Sequence, residues 1–137
     1  MASNSALVEL FGPEILTKDG VVATDEALGG KTNIMIYFSA HWCPPCRGYT
    51  PQLSDAYSAS GKKEETVVVF VSSDQDENGF NSYYDSMSFY ALPYSDRARK
   101  EALSQKYGVR GIPTLVLLDG SGNLVQANIR GQHANYL

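Results

Sequence analysis

A chain of 137 residues is long enough for one ordinary domain, 1–137, and too short for two. With 43% apolar and 19% charged residues it has the balance of a globular fold. Its net charge of −4 argues against nucleic acid as the main partner, and no apolar run approaches the roughly 20 residues of a membrane span.

The first residues carry no basic region and no apolar core of signal-peptide length, and residues 133–137 match no retention or lipidation signal. The expected address is the cytoplasm, with the nucleus also open to the chain, and a reducing cytosol disfavours a permanent structural disulfide.

Residues 7–11 and 15–24 read as short strands, the second stretch turning back at Asp19-Gly20 into a hairpin. Residues 33–39 and 66–72 are almost unbroken apolar runs, the signature of central strands covered on both faces. Between them Tyr49, Leu53, Ala56 and Tyr57 mark a helix by their spacing. Phe80, Tyr83, Tyr84 and Met87 form an aromatic stripe at i, i+3, i+4, i+7, for which periodicity favours core packing over a binding surface.

A further helix is expected over 96–107, with Ser95 or Asp96 as N-cap and Gly108 ending it. Its mixed charges, Asp96, Arg97, Arg99, Lys100 and Glu101, read as a solvated face. An apolar strand from Thr114, a turn at 119–122 and a last strand near 124–129 follow. The sum is an α/β fold, a central mixed sheet flanked by helices with a hairpin at its start.

The only two cysteines, Cys43 and Cys46, stand between the strand at 33–39 and the head of a helix. Their spacing allows a small disulfide ring, and a helix N-terminus stabilises a thiolate on Cys43. The strand–turn–helix junction keeps Cys43 near the surface, within reach of a partner's disulfide. A structural zinc site needs four ligands, which here would be the two cysteines, the adjacent His41 and the remote His133; that spacing disfavours it, and no metal or other cofactor is expected. An inert disulfide is the other alternative. Thiol–disulfide exchange explains the pair best: Cys43 attacks a target disulfide, and Cys46 then releases the reduced target.

Pro44 and Pro45 remove two N–H donors from the turn and stiffen it, and the helix is expected to begin at about Pro45. This places the pair toward the reducing end of its class. Pro113, between Ile112 and Thr114, opens a buried strand where proline deletes a ladder donor, and a plain loop-to-strand boundary would also account for it.

The segment 38–53, with Trp42-Cys43-Pro44-Pro45-Cys46 at its centre, resembles the active-site segment of the thioredoxin superfamily, and its form is similar to tryparedoxins and nucleoredoxin-like proteins. Pro51 falls where that family carries a helix-kinking proline, and 71–80 and 91–114 narrow the branch. The resemblance implies a thioredoxin-like fold, here with a closing helix that is very short or missing. It implies Cys43 as nucleophile, Cys46 as resolving thiol and Trp42 as a cover shaping the docking surface. Pro113 becomes the cis-proline facing the pair, with the Ile112 backbone bonding an incoming extended peptide.

Two positions depart from the family. Where ordinary thioredoxins bury a carboxylate, six residues before the first cysteine, this chain has Tyr37, a poor proton acceptor at neutral pH and best read as a packed aromatic. Residues 87–90, Met-Ser-Phe-Tyr, replace a Met-Pro-Trp pattern, so partner contacts there should differ. His41 either tunes the site or is an exposed loop histidine.

The expected activity is that of a protein-disulfide reductase, a monomer acting on disulfide-containing proteins. An external reductant must reset it: trypanothione, glutathione or a thioredoxin-reductase-type system. A tryparedoxin-like role in redox homeostasis and a nucleoredoxin-like role in regulating signalling or transcription proteins both fit. The alternative is a redox-sensitive binding module whose partner affinity changes with the Cys43–Cys46 disulfide. Accelerated insulin reduction would separate the enzyme from the module.

Overall fold

The computed structural model describes residues 2–62 and 64–137, with side chains from Leu7 onward. The chain begins with helix α1 (Ala2–Phe11), followed by the hairpin β1 (Glu14–Thr17) and β2 (Gly20–Ala23) and a short helix α2 (Thr24–Leu28). Strand β3 (Asn33–Ser39) leads into α3 (Pro44–Ala59), β4 (Thr66–Ser72) and α4 (Glu77–Tyr84). The two-residue strand β5 (Tyr90–Ala91), α5 (Arg97–Lys106), β6 (Thr114–Asp119) and β7 (Leu124–Gln126) complete the secondary structure, with one 3₁₀ turn at His133–Asn135.

The strands form one sheet in the order β2-β1-β5-β4-β3-β6-β7. At its centre β3 pairs parallel with β4 and antiparallel with β6, so Tyr37 lies between Phe70 and Leu115. The apolar runs in β3 and β4 follow from cover on both faces. On one face Met35, Tyr37, Val68 and Phe70 pack with Tyr49, Leu53 and Tyr57 of α3 and Phe80, Tyr83 and Tyr84 of α4. On the other, Ile34, Ile36, Val67 and Val69 meet Leu7 and Phe11 of α1, Leu28 of α2 and Leu103 of α5. The aromatic stripe at 80–87 is core, as its period indicates.

Residues 7–11 are helical, where a strand is expected from the sequence. Leu7 and Phe11 are buried one turn apart on α1 and Glu9 faces outward, a helical pattern too short to separate from a strand by composition. Helix α3 starts at Pro44, one residue before the expected Pro45, with Cys43 as its N-cap. Helix α5 is capped by Asp96, whose carboxylate accepts from the Arg99 backbone N–H, and Gly108 follows it at φ +63°. Arg99 pairs with Asp96 at 2.9 Å on the expected charged face. Arg97 departs from that face, donating inward to the Ser72 carbonyl at 2.8 Å while stacking on Tyr94. The last element described is the single 3₁₀ turn His133–Asn135, held where Tyr49 Oη meets His133 Nδ1 at 2.7 Å.

Candidate active site

The carboxyl ends of β3 and β4, the head of α3 and the loop before β6 converge at one end of the central strands. Cys43 caps α3, its sulfur accepting from the Cys46 backbone N–H at 3.4 Å. With Pro44 and Pro45 filling the first two helical positions, the Cys46 N–H is the first donor the helix presents to that sulfur. Both cysteines are free thiols. Cys43 keeps 5% exposure and Cys46 none, so Cys43 is the sulfur a partner can reach.

Across from the pair, the Ile112–Pro113 peptide bond is cis and the Ile112 carbonyl lies 3.7 Å from Cys43 Sγ. A groove of about 410 Å³ continues from that loop, lined in part by Arg110, Ile112, Pro113, Thr114, Asn128 and Arg130. Trp42 flanks the other side, 56% exposed, with its indole N–H donating to the Ser73 carbonyl at 3.0 Å. Beyond it, His41, Arg47, Gln75 and Asp76 line a second groove of about 330 Å³.

The loop bearing Trp42 and Cys43 is clamped from β4. The Ser73 N–H donates to the Ser39 carbonyl at 2.8 Å, and the His41 N–H to Asp74 Oδ1 at 2.7 Å. Asp74 is buried, its second oxygen accepting from the Ser72 hydroxyl at 2.6 Å. His41 is exposed, and its ring stacks on Tyr83 with centroids 5.1 Å apart.

Burial pushes the Cys46 thiol up to about 11; the adjacent Cys43 adds to this, while the Ser39 hydroxyl and Ala40 backbone oppose it. Tyr37 is fully buried against Tyr49, Phe70 and Phe89, as its packed reading requires, but its hydroxyl is also bonded, to Thr50 Oγ1 at 2.6 Å. Among the described residues no three of His, Cys, Asp or Glu converge as a metal site.

The predicted Trp42, Cys43, Cys46, Ile112 and Pro113 thus meet in one place, with Pro44 and Pro45 shaping the turn. Ser39, Thr50, Ser72 and Asp74 join the site without having been singled out, and Tyr83, expected only as a core aromatic, joins it through its hydroxyl. Their sequence signal is that Ser39 and Ser72 are polar residues closing apolar strands, at the ends where open α/β sheets build sites.

The thioredoxin-like family model matches residues 30–124. The nucleoredoxin of Danio rerio is 42% identical over 120 residues, which cover 85% of this chain and 28% of that protein. The chain therefore spans little more than a quarter of the length of that curated relative. The tryparedoxin of Trypanosoma brucei brucei is 41% identical over 105 residues, 77% of this chain and 72% of that protein. Tryparedoxin II of C. fasciculata superposes with a TM-score of 0.87 at 36% identity, covering 96% of this chain and 88% of that one. A tryparedoxin II structure complexed with glutathionylspermidine gives 0.86 at 35% identity, covering 95% and 92%. The chain belongs to the thioredoxin-like family, in its branch of tryparedoxin and nucleoredoxin oxidoreductases.

Proposed function

We propose that the chain reduces protein disulfides through its Cys-Pro-Pro-Cys dithiol. The observation that carries this reading is the asymmetry of the pair: Cys43 at a helix cap and beside the Ile112–Pro113 loop, Cys46 fully buried behind it. Cys43 attacks the target disulfide, forming a mixed disulfide and expelling one target thiolate. Cys46 then attacks Cys43, closing the intramolecular disulfide and freeing the second target thiol. The target strand lies along Ile112–Pro113, held by main-chain contacts and covered by Trp42.

The partners proposed are extended, disulfide-bearing protein segments. The proposed reductant is a glutathione-type thiol, a choice supported by the tryparedoxin complex with glutathionylspermidine. The proposed setting is the reducing cytoplasm; among the described residues no helix is long and apolar enough to cross a membrane.

In an insulin and dithiothreitol assay the chain should accelerate precipitation of the reduced insulin B chain. Cys43→Ser should abolish the acceleration, since the remaining thiol, Cys46, is fully buried. Cys46→Ser should accumulate a mixed disulfide with its target, because the escape step is gone. Equal loss in both variants with no trapped adduct would overturn the assignment of roles. Reduction of the oxidised chain by trypanothione, by glutathione or by a thioredoxin reductase then identifies the recycling system.

A further inference from the structure

Three successive carbonyls at the end of β4 each accept a hydrogen bond from a side chain outside that turn. Arg97 Nη1, from the first residue of α5, donates to the Ser72 carbonyl at 2.8 Å. The Trp42 indole N–H donates to the Ser73 carbonyl at 3.0 Å, and Tyr94 Oη to the Asp74 carbonyl at 2.9 Å. The Asp74 carboxylate accepts from the His41 N–H at 2.7 Å, so both residues before Cys43 hang on this turn.

The far side of the turn is held by Arg97 and Tyr94, which also fix each other. Arg97 Nε donates to the Tyr94 carbonyl at 2.6 Å, and the guanidinium carbon lies 3.8 Å from the centre of the Tyr94 ring. That ring packs in turn on Phe80 of the core, with centroids 5.5 Å apart. The guanidinium is a planar fork between two carbonyls, a geometry that a lysine ammonium does not reproduce.

Arg97 stands where the fold itself gains little from a cation. In the first turn of a helix its charge opposes the helix dipole, and Arg97 Nη2 is buried with no hydrogen-bond partner among the described residues. Local costs of this kind are kept at functional positions. What Arg97 holds is the turn that anchors Trp42, a half-exposed indole whose single side-chain donor is spent on Ser73.

We propose that Arg97 is a positioning residue for substrate docking: by fixing the Ser72 carbonyl it orients the turn at 73–74, and through that turn it holds Trp42 over the bound target. Tyr94 shares the role. The assignment rests on the dithiol reading above. The hydrogen bonds of both side chains go to the turn and to each other rather than to either cysteine, so the sulfur chemistry is left to Cys43 and Cys46.

Trp42 is the only tryptophan in the chain, so its fluorescence reports the anchor directly. In the reduced wild-type chain the indole should tumble with the whole molecule. In Arg97→Met and in Tyr94→Phe the time-resolved anisotropy should gain a fast local component, and Arg97→Lys should fall between wild type and Arg97→Met. Initial rates against insulin concentration should show KM raised about fivefold in Arg97→Met, the worth of one hydrogen bond, with kcat within about twofold of wild type. In a Trp42→Phe background the same substitution should change KM by less than about twofold, because the residue it acts through is gone. An unchanged anisotropy decay or an unchanged KM in Arg97→Met, or an equal KM effect in the Trp42→Phe background, would overturn the proposal. If Arg97→Met does not fold, an unchanged decay in both Arg97→Lys and Tyr94→Phe overturns it. A wild-type chain that reduces no insulin refutes the reductase reading, and the anchoring of Trp42 by Arg97 is then decided by the anisotropy.

Discussion

Asp74 is a buried carboxylate that forms no direct ion pair among the described residues, and it is held by hydrogen bonds. It accepts from the His41 N–H at 2.7 Å and the Ser72 hydroxyl at 2.6 Å, while its own backbone carbonyl accepts from Tyr94 Oη at 2.9 Å. Through His41 it fixes the loop immediately before Trp42 and Cys43. Asp74→Ala leaves a peptide N–H and a buried hydroxyl without that acceptor, a loss of about 1–3 kcal/mol. The urea midpoint should fall accordingly, and an unchanged midpoint would mean that the clamp contributes nothing. The residue scale also explains what of the site was legible. Cys43 and Cys46 stand in one contiguous motif, so spacing alone reveals them. Ser39, Thr50, Asp74 and Tyr83 come from separate stretches, and a hydroxyl or carboxylate acquires a role only once packing puts it beside another. Tyr37 shows both halves of this: its packing was readable from its place in an apolar strand, its bond to Thr50 was not.

At the scale of elements, long periodic stretches were readable and short ones were not. Strands β3 and β4 and helices α3, α4 and α5 announce themselves by unbroken apolar runs, stripes and caps. Helix α2, of five residues, and β5, of two, exist through tertiary contacts that leave no periodic pattern. The start of α3 matters most for chemistry. Cap side chains accept from the second and third helical N–H groups, and here the second position is Pro45. An N–H restored at Pro45 is therefore placed to reach the Cys43 sulfur, whereas one restored at Pro44 is not. Pro45→Ala should add a hydrogen bond to the reduced pair and make it more oxidising, by about 20–30 mV if the bond contributes roughly 1–1.4 kcal/mol. Pro44→Ala should shift the potential less. Glutathione equilibration of both variants checks the order, and an equal or reversed shift would show that the cap geometry does not set the poise.

For the whole molecule, the composition of the two core faces sets the response to alkali. The face under α3 and α4 contains Tyr37, Tyr49, Tyr57, Tyr83 and Tyr84, several of them with hydroxyls bonded inside the protein. Burial raises all five phenols, Tyr57 to about 12, and raises Cys46 to about 11. In the unfolded chain these groups titrate near 10 for tyrosine and 8.5 for cysteine. Above those values the unfolded state has released protons that the folded state still holds, so stability must fall as pH rises. The stabilisation is fully present below about pH 8.5 and is lost as pH climbs through the folded values, at up to about 1.4 kcal/mol per pH unit for each group involved. The loss should begin shallowly with Cys46 and steepen above pH 10, where the tyrosines join it. The expected result is a urea midpoint that declines slowly from pH 8 to 10 and then sharply. Tyrosinate absorbance at 295 nm from these buried residues should appear together with the loss of far-UV circular dichroism, as one cooperative transition. Full tyrosine ionisation near pH 10 with the circular dichroism intact would show that the phenols are accessible in the folded chain, and the aromatic face would then not be the sealed layer that its hydrogen bonds describe.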